Sequence, residues 1–266
     1  MPSTDAINLK LIPIGELIPH EETVPYLADR LSHKLLRDGV QRDPIIVDER
    51  TRIVLDGMHR LAALKRIGAK SVVSSLVDYA SEDVLLFRWY RFVEEPEESV
   101  VSAALKELGT TEEIPFSWDE AALRSGLTLT YRGRAYSGRK GESLESLMGA
   151  TRSFDRVVTE LGGKVGYVDE SAATPELLSG RYMALLTPRL RKEDVVDAAS
   201  RGGLFPPKTT LHVLPVRPMG INYPIEDLRR QNDILERMLS TRTRRRMEPP
   251  SFYRGRLYRE PVVVLE

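Results

Sequence analysis

The residues best suited to chemistry follow a short apolar segment at positions 53–55. They are Asp56, Gly57, Met58, His59 and Arg60. Leucine and isoleucine then recur at helical spacing as far as Gly68, so the sequence predicts a strand, a tight turn and a helix that Gly68 ends. Such a turn directs backbone N–H groups and the positive end of the helix dipole toward one point, where His59 and Arg60 add side-chain donors. This pattern suits a phosphate site, and it suits an ordinary helix cap equally well.

A second set of polar residues consists of Lys208, Thr210 and His212. The sequence from Thr209 to Val216 predicts a strand, and successive side chains of a strand point to opposite faces. These three hydrogen-bonding groups would then share one face and could bind a small anion or zwitterion. A solvated edge strand is the alternative explanation.

The elements that must position these residues are clearest before residue 80. Apolar and β-branched runs predict strands, and leucines at four-residue spacing before Gly39 predict a helix. The predicted elements are an edge strand at 9–14, a helix from about Tyr26 to Asp38, a strand at Pro44–Asp48, a turn at 49–52 and a strand at Ser71–Asp78. Together with the strand before Asp56, they indicate an α+β unit with a small mixed sheet.

The remainder of the chain also mixes helices and strands. Predicted helices cover 81–108, which carries Trp89, then about 143–161 and about 224–239. Predicted strands cover 127–131, 165–168 and 262–265. The run from Arg242 to Arg246 is typical of a solvated surface. The predicted fold class is therefore α+β, with mixed α/β structure along the whole chain.

The composition limits the classes of function. The 266 residues suit one large domain or two small ones, and 39 basic residues balance 39 acidic residues. This balance disfavours general coating of nucleic acid, although it leaves room for a local basic patch. The absence of cysteine removes disulfides and thiolate chemistry, and no apolar stretch reaches the length of a membrane helix. We expect a cytoplasmic protein.

Short motifs narrow the chemistry further. HExxH, CxxC, GxGxxG and the Walker A spacing are all absent from the sequence. Phosphoryl transfer remains compatible, because it needs donors around the transferred group, a metal ion and a carboxylate near the accepting hydroxyl. The carboxylate candidates are Glu21, Glu22 and Asp56.

The segment 56–64, between Pro44–Val47 and Gly68–Val72, resembles the D-G-x-H-R element of the ParB/sulfiredoxin superfamily. The resemblance covers about residues 8–80 and implies binding of nucleotide phosphates. Members of the superfamily include DNA-partitioning CTPases, a cysteine-repairing ATP enzyme and free serine kinases. The lack of cysteine argues against the cysteine-repairing enzyme. The lack of a helix-turn-helix pattern after residue 80 and the zero net charge argue against the partition proteins.

Three further features, Leu17–Glu22, Trp89 and Phe205–His212, resemble the free L-serine kinases, and this second resemblance spans most of the chain. It implies that Glu21 is the catalytic base, or Glu22 if the loop alignment slips by one residue. His20 and His33 are then structural.

The same resemblance assigns the binding residues. Asp56 would act in catalysis by positioning magnesium or the phosphoryl group, which makes it the expected metal ligand. Nucleotide phosphates would be bound by Gly57, Met58, His59 and Arg60, with Met58 at a position where a histidine is common. Serine or phosphoserine would be bound by Trp89, Lys208, Thr210 and His212.

The resemblance also implies an architecture and a reaction. It implies a ParB/sulfiredoxin-like domain with a small mixed sheet at 1–80, a second α/β domain at 81–266 and an active site in the cleft between them. Mg²⁺ and a phosphoryl donor, ATP or ADP, would act on L-serine to give O-phospho-L-serine for cysteine biosynthesis. No nucleic acid or membrane is expected as a partner, and the sequence does not predict an oligomeric state. The alternatives are a ParB-like nucleotide-dependent DNA-binding protein, hinted at by Arg242–Arg246, and a kinase for a protein or another amino acid.

Overall fold

The computed structural model describes residues 7–109, 112–115, 126–173 and 181–266. The chain divides into two compact units, each assembled from non-contiguous segments. The first unit comprises Met1–Leu86, Lys192–Pro207 and His212–Glu266, and the second comprises Phe87–Arg191 and Lys208–Leu211. This division differs from the expected linear boundary at residue 80, because the C-terminal segments return to pack with the N-terminal ones.

Helices of the described chain are short, apart from two of them. They are Pro25–Asp38 (α1), Met58–Arg66 (α2), Glu98–Glu107 (α3), Leu144–Glu160 (α4), Lys192–Ser200 (α5), Ile225–Arg230 (α6) and Leu235–Ser240 (α7), with a 3₁₀ turn at Ile14–Glu16.

Strands occur in both units. Up to residue 94 they are Leu9–Pro13 (β1), Ile18–Pro19 (β2), Val40–Gln41 (β3), Ile45–Asp48 (β4), Ile53–Asp56 (β5), Ser71–Val77 (β6) and Leu85–Glu94 (β7). The next are Glu112–Ile114 (β8), Leu127–Tyr131 (β9), Arg134–Gly138 (β10), Gly166–Asp169 (β11) and Tyr182–Leu186 (β12). The last are Thr210–Val213 (β13), Arg217–Met219 (β14), Tyr223–Pro224 (β15), Arg244–Met247 (β16), Ser251–Tyr253 (β17), Arg256–Tyr258 (β18) and Val262–Leu265 (β19).

A five-stranded mixed sheet lies at the centre of the first unit, with the strand order β1-β6-β4-β5-β2. The β4–β5 and β1–β6 pairs are antiparallel, whereas β2 runs parallel to β5 and β4 runs parallel to β6. All four residues of β4 are buried: Ile45, Ile46 and Val47 are apolar, and the Asp48 carboxylate accepts hydrogen bonds from the Thr51 and Tyr79 N–H groups. The core beside this sheet includes Val54 and Leu64 together with Ile225 and Leu228 from the C-terminal segment, which explains why that segment belongs to the first unit.

The second unit is built on an antiparallel sheet with the order β11-β7-β12-β9-β10-β8. Helices α3 and α4 pack against each other in this unit. Their buried faces carry Ala104 and Phe154, both fully inaccessible to solvent. Ser143 caps α4, because its hydroxyl accepts a hydrogen bond from the Ser146 N–H group.

The elements predicted before residue 80 are confirmed. The helix after residue 25 ends at Gly39, which adopts a left-handed conformation with φ 69° and donates its N–H group to the Leu35 carbonyl. Strands β4, β5 and β6 and the turn between β4 and β5 also lie where the sequence predicts them. Local signals were sufficient in this region because caps, turns and apolar runs agree with one another.

The helix predicted over 81–108 is wrong for its first half. Residues 85–94 form the strand β7, and the helix α3 begins only at Glu98. Trp89, Tyr90 and Phe92 belong to the residue types that favour strands, and β7 pairs with β11 on one side and β12 on the other. Hydrogen bonding to two neighbouring strands stabilises the extended conformation, although the apolar spacing had suggested a helix.

Two further predictions need correction. The helix predicted over 224–239 is divided into α6 and α7, because Gln231 adopts a left-handed conformation with φ 55°. The strand predicted from Thr209 begins at Thr210, and Lys208 lies outside it with φ 58°, so strand alternation does not place Lys208 on a common face with Thr210 and His212. Of the arginine run, Arg244–Arg246 lie in β16 and are exposed as predicted, whereas Arg242 is half-buried and donates to the Gly220 carbonyl at 2.8 Å. In the part of the chain that the structure describes, no helix has the length and apolar character needed to span a membrane.

Candidate active site

The turn between β5 and α2 has the geometry expected of an anion site. Gly57 precedes the helix with φ 104°, and a Cβ atom there would lie 2.7 Å from Cγ2 of Ile45. Both the backbone conformation and the close approach therefore require glycine. The helix begins at the next residue, so the first-turn N–H groups and the positive end of the dipole are directed at the space above Gly57.

Met58 and His59 contribute to this turn in different ways. The Met58 side chain is buried in the core, so only its backbone can contribute to binding. The Nε2 atom of His59 accepts a hydrogen bond of 3.0 Å from the backbone N–H of Val24, the residue that precedes α1. An accepting Nε2 requires the ring to be neutral with its proton on Nδ1, so the ring can donate only through Nδ1.

Arg60 extends from the first turn of α2 to the neighbouring strands. Its Nη1 atom donates to the Pro44 carbonyl at 2.5 Å, and its Nη2 atom lies 3.5 Å from Oδ2 of Asp56. The side chain is 23% exposed. The guanidinium is thus oriented by the protein and still accessible, as a residue that binds a phosphate must be.

The pairing of β2 with β5 brings two carboxylates to the same edge of the sheet. Ile18 pairs with Ile53 and Pro19 pairs with Val54. The strands are parallel, so their carboxyl ends meet at one edge, and two further residues along each strand lead to Glu21 and Asp56. This relation is non-local and cannot be derived from spacing in the sequence.

The loop that carries Glu21 is held by backbone bonds to Phe205. The Phe205 N–H group donates to the His20 carbonyl at 2.8 Å, and the Glu22 N–H group donates to the Phe205 carbonyl at 2.9 Å. The Glu21 carboxylate is 12% exposed and lies 3.8 Å from Nε2 of His20. Because neighbouring residues of an extended segment point to opposite sides, Glu21 and Glu22 do not occupy equivalent positions.

The histidines at 20 and 33 differ in their surroundings. His20 is fully buried, and its Nδ1 atom lies 2.5 Å from the Val54 carbonyl, which fixes the ring against β5. His33 lies on α1 with a side chain that is 76% exposed, 3.8 Å from a carboxylate oxygen of Asp29. His20 therefore supports the loop that carries Glu21, and His33 belongs to the surface.

His212 lies in a buried cluster with Tyr79 and His20. Its Nε2 atom is 2.9 Å from the Tyr79 hydroxyl, and its ring makes edge contacts with both neighbouring rings. Burial lowers the pKa of His212 well below its ordinary value, and the charge that His20 can carry lowers it further. The ring is neutral at pH 7 and only 3% exposed.

This lowered pKa predicts a pH-dependent stability. Below pH 6.5 the unfolded chain binds a proton at His212 that the folded protein does not, so the free energy of unfolding should fall with decreasing pH, by up to about 1.4 kcal/mol per pH unit. Urea unfolding between pH 6.5 and 5.5 should show a steeper loss for the unchanged protein than for H212Q, whose amide can still bond Tyr79. Parallel curves for the two proteins would refute a buried neutral His212.

Asp56 also contacts a residue that sequence reasoning missed. Arg217 donates from Nη1 to Oδ2 of Asp56 and from Nε to Oε1 of Glu260, both at 2.5 Å. A cavity of about 200 Å³ lies beside this network, and its polar lining consists of Asp43, Asp56, Arg60, Arg217, Arg256 and Tyr258. The one available signal in the sequence was a lone arginine inside the apolar segment 214–219, a pattern that favours a buried ion pair.

The second unit contains three of the four expected serine-binding residues. The Nζ atom of Lys208 lies 4.7 Å from the centre of the Trp89 ring, within range of a cation–π interaction. Thr210 follows at the start of β13 and is 8% exposed. This unit therefore contains a cation, an aromatic face and a hydroxyl, the residue types predicted to bind a small polar ligand.

No family model matches the chain. An ATP-dependent L-serine kinase from Staphylothermus marinus is 30% identical to it over 236 residues, which cover 82% of this chain and 90% of the relative. The chain belongs to the L-serine kinase family. Another family member is the ADP-dependent L-serine kinase SerK of Thermococcus kodakarensis, 26% identical over 235 residues, covering 85% of this chain and 95% of that protein.

Among solved structures, a free serine kinase in complex with AMP is similar to this member of the L-serine kinase family, with a TM-score of 0.69 and 26% identity. The match covers 84% of this chain and 95% of the other. The resemblance stated from the sequence is thereby confirmed at the level of family and fold.

Of the residues predicted for the kinase site, the first unit brings together the turn at 57–60, Asp56 and the loop that carries Glu21. His212 lies in the same unit and is buried. The second unit contains Trp89, Lys208 and Thr210. Arg217 and Glu260 are the additions that the structure makes to the predicted set.

Proposed function

We propose that this protein is a free L-serine kinase that transfers a phosphoryl group from ATP or ADP to the serine hydroxyl. The observation that carries the proposal is the shared sheet edge, where a loop carboxylate and a strand-end carboxylate accompany an anion-binding turn. Because the chain belongs to the L-serine kinase family, we take L-serine as the acceptor of the phosphoryl group. We further propose that the protein acts in the cytoplasm and that its product, O-phospho-L-serine, serves cysteine biosynthesis.

Glu21 is the general base in this proposal. As the serine oxygen forms its bond to the terminal phosphorus and the bond to the leaving phosphate oxygen breaks, the hydroxyl proton passes to the Glu21 carboxylate. The Glu21 carboxylate lies beside the fixed ring of His20, which supports Glu21 as the base.

The turn at 57–60, called the phosphate turn from here on, binds the nucleotide phosphates in this proposal. Backbone N–H groups of the first helical turn supply donors without side-chain reorganisation, and Arg60 adds a cation already oriented by Pro44. His59 lies in the same turn, held by the hydrogen bond that its Nε2 atom accepts from Val24. These groups lower the energy of the negative charge that develops on the transferred group.

Asp56 is the residue that would hold Mg²⁺. The described residues contain no cluster of three or more His, Cys, Asp or Glu side chains able to bind a metal alone. A single carboxylate still fits Mg²⁺, because this ion prefers oxygen ligands and commonly binds through one or two carboxylates plus substrate phosphates and water. When bound, the ion would neutralise phosphate charge during transfer.

Serine is bound, in this proposal, by residues of the second unit. Lys208 provides a cation for the serine carboxylate and Thr210 provides a hydroxyl, while Trp89 orients the Lys208 ammonium through its ring face. His212 is neutral and buried, so it acts as a fixed hydrogen-bonding neighbour of Tyr79 and not as a cation.

A donor-by-acceptor assay tests the function directly. Purified protein would be incubated with ATP or ADP and with serine, threonine or homoserine, and phosphorylated product and nucleotide product would be quantified together. We expect O-phosphoserine formation matched by stoichiometric conversion of one nucleotide. Nucleotide conversion that no free amino acid stimulates would refute the proposal.

Loss of the Arg60 guanidinium should chiefly weaken nucleotide binding. Removing a charge-assisted hydrogen bond costs about 1.5–3 kcal/mol, so the nucleotide Kd of R60A should rise about ten- to hundredfold in calorimetry. R66A is the matched control, since Arg66 lies on the same helix but pairs with Asp29 and is 53% exposed. An unchanged Kd for R60A, or an equal rise in both variants, would contradict the assignment.

A further inference from the structure

Arg217 is the most deeply buried cation that contacts the proposed catalytic machinery. Its side chain is 3% exposed. Each of its three nitrogens has a separate acceptor: Asp56 on Nη1, Glu260 on Nε, and the His212 carbonyl on Nη2 at 3.1 Å. One side chain therefore joins the end of β5, the strand β13 and the loop before β19.

The guanidinium remains charged in this environment. Burial alone would disfavour the charge, but the Asp56 and Glu260 carboxylates raise the pKa of Arg217. Burying charged groups costs desolvation free energy unless ion pairs and hydrogen bonds offset it. Truncating one member of such a network leaves another charge unpaired. A purely structural need could be met by apolar side chains at lower cost, so the network suggests a role in fixing geometry.

The contacts on Asp56 show what geometry is fixed. Arg217 and Arg60 both approach the same oxygen, Oδ2, at 2.5 Å and 3.5 Å. Arg217 itself is anchored by Glu260, which is 5% exposed, so the carboxylate is held from a rigid point in the interior. Arg60, at 23% exposure, is the accessible member of the pair.

We propose that Arg217 is a positioning residue that sets the orientation of the Asp56 carboxylate for phosphoryl transfer, with Glu260 as its anchor. The inference rests on the proposed kinase function. In it Arg60 binds nucleotide, whereas Arg217 acts through Asp56 and touches neither substrate. A displacement of about 1 Å of a catalytic group can cost about a hundredfold in rate.

The test uses R217Q/E260Q, R217K and a control. The double variant avoids leaving Glu260 as an unpaired buried charge, and circular dichroism and thermal melting would verify that it folds. R217K keeps the charge but carries it on a single nitrogen, which cannot reproduce the three separately placed donor nitrogens of the guanidinium. R254Q is the control, because Arg254 pairs with Asp43 at 3.4 Å from an exposed position.

For R217Q/E260Q we expect kcat to fall about a hundredfold, while the nucleotide Kd and the serine KM change by less than about threefold. R217K should recover part of the loss, and R254Q should match the unchanged protein. A raised nucleotide Kd with kcat retained would make Arg217 a ligand and overturn the inference. Retained kcat in a folded double variant would overturn it as well.

A crystal structure of the double variant separates this inference from the proposed function. We expect the Asp56 carboxylate to change its rotamer or to lose its single orientation. If the unchanged protein phosphorylates no amino acid, the kinase function fails, and the orientation of Asp56 in the variant still decides whether Arg217 positions it. An unaltered Asp56 would refute the positioning role.

Discussion

Replacing Glu21 with glutamine is expected to lower kcat for serine phosphorylation by about a hundredfold or more, because a neutral amide cannot take the hydroxyl proton. The nucleotide Kd should change by less than about threefold, since the phosphate turn is a separate part of the first unit. Single-turnover kinetics would measure the transfer step, and calorimetry would measure nucleotide binding.

Glutamine at position 22 provides the matched control. The two residues are adjacent and carry the same charge, yet the pairing of this loop with Phe205 gives their side chains different directions. E22Q should retain kcat within about threefold if Glu21 is the base. A large loss in E22Q with a near-normal E21Q would transfer the role to Glu22.

The conformation of the turn at 57–60 could be predicted from the sequence because its determinants are local. An apolar strand, a glycine that alone tolerates the backbone at position 57 and a helix with its own stop signal all lie within sixteen residues, and each is found in the structure. What the local pattern could not decide was whether the turn serves a ligand. Asp56 adjoins the turn, but the second carboxylate, Glu21, is remote from it in the chain.

The parallel pairing of β2 with β5 shows why Glu21 could not be placed at the edge of Asp56 in advance. β2 has only two residues, Ile18 and Pro19, and a strand of that length has no periodicity to detect. Its register with β5 is nevertheless what brings Glu21 to the edge that Asp56 occupies. The family resemblance predicted roles for both residues without explaining how they reach one edge of the sheet.

The wrong prediction of a helix over the residues of β7 has a different cause. Arg88 and Arg91 are buried there, paired with Glu170 and Asp155 from other elements of the second unit. A search for apolar periodicity does not count charged residues as core positions. It therefore misses arginines that are buried by pairing with carboxylates remote in the sequence. Arg217 escaped notice for the same reason, since its partners Asp56 and Glu260 are remote in sequence.

Replacing Asp56 with asparagine should produce the second large effect. Asparagine keeps the shape of the side chain but removes the charge that would hold Mg²⁺ beside the nucleotide phosphates, so kcat should fall by about a hundredfold or more. The free energy of unfolding should fall by about 1–3 kcal/mol, because Arg217 loses one charged partner and keeps Glu260. Steady-state kinetics and urea unfolding would measure the two effects separately.

D43N is the matched control, because it removes a negative charge from the same cavity without changing Asp56. Asp43 also lines that cavity, but its Oδ1 atom accepts the Gly220 N–H group at 2.9 Å, a bond that an asparagine oxygen can keep. D43N should therefore retain kcat within about threefold. If D43N and D56N lost activity equally, the electrostatic field of the cavity would be responsible. A loss confined to D56N would instead show that the reaction depends on one carboxylate at the end of β5, held where the phosphate turn begins.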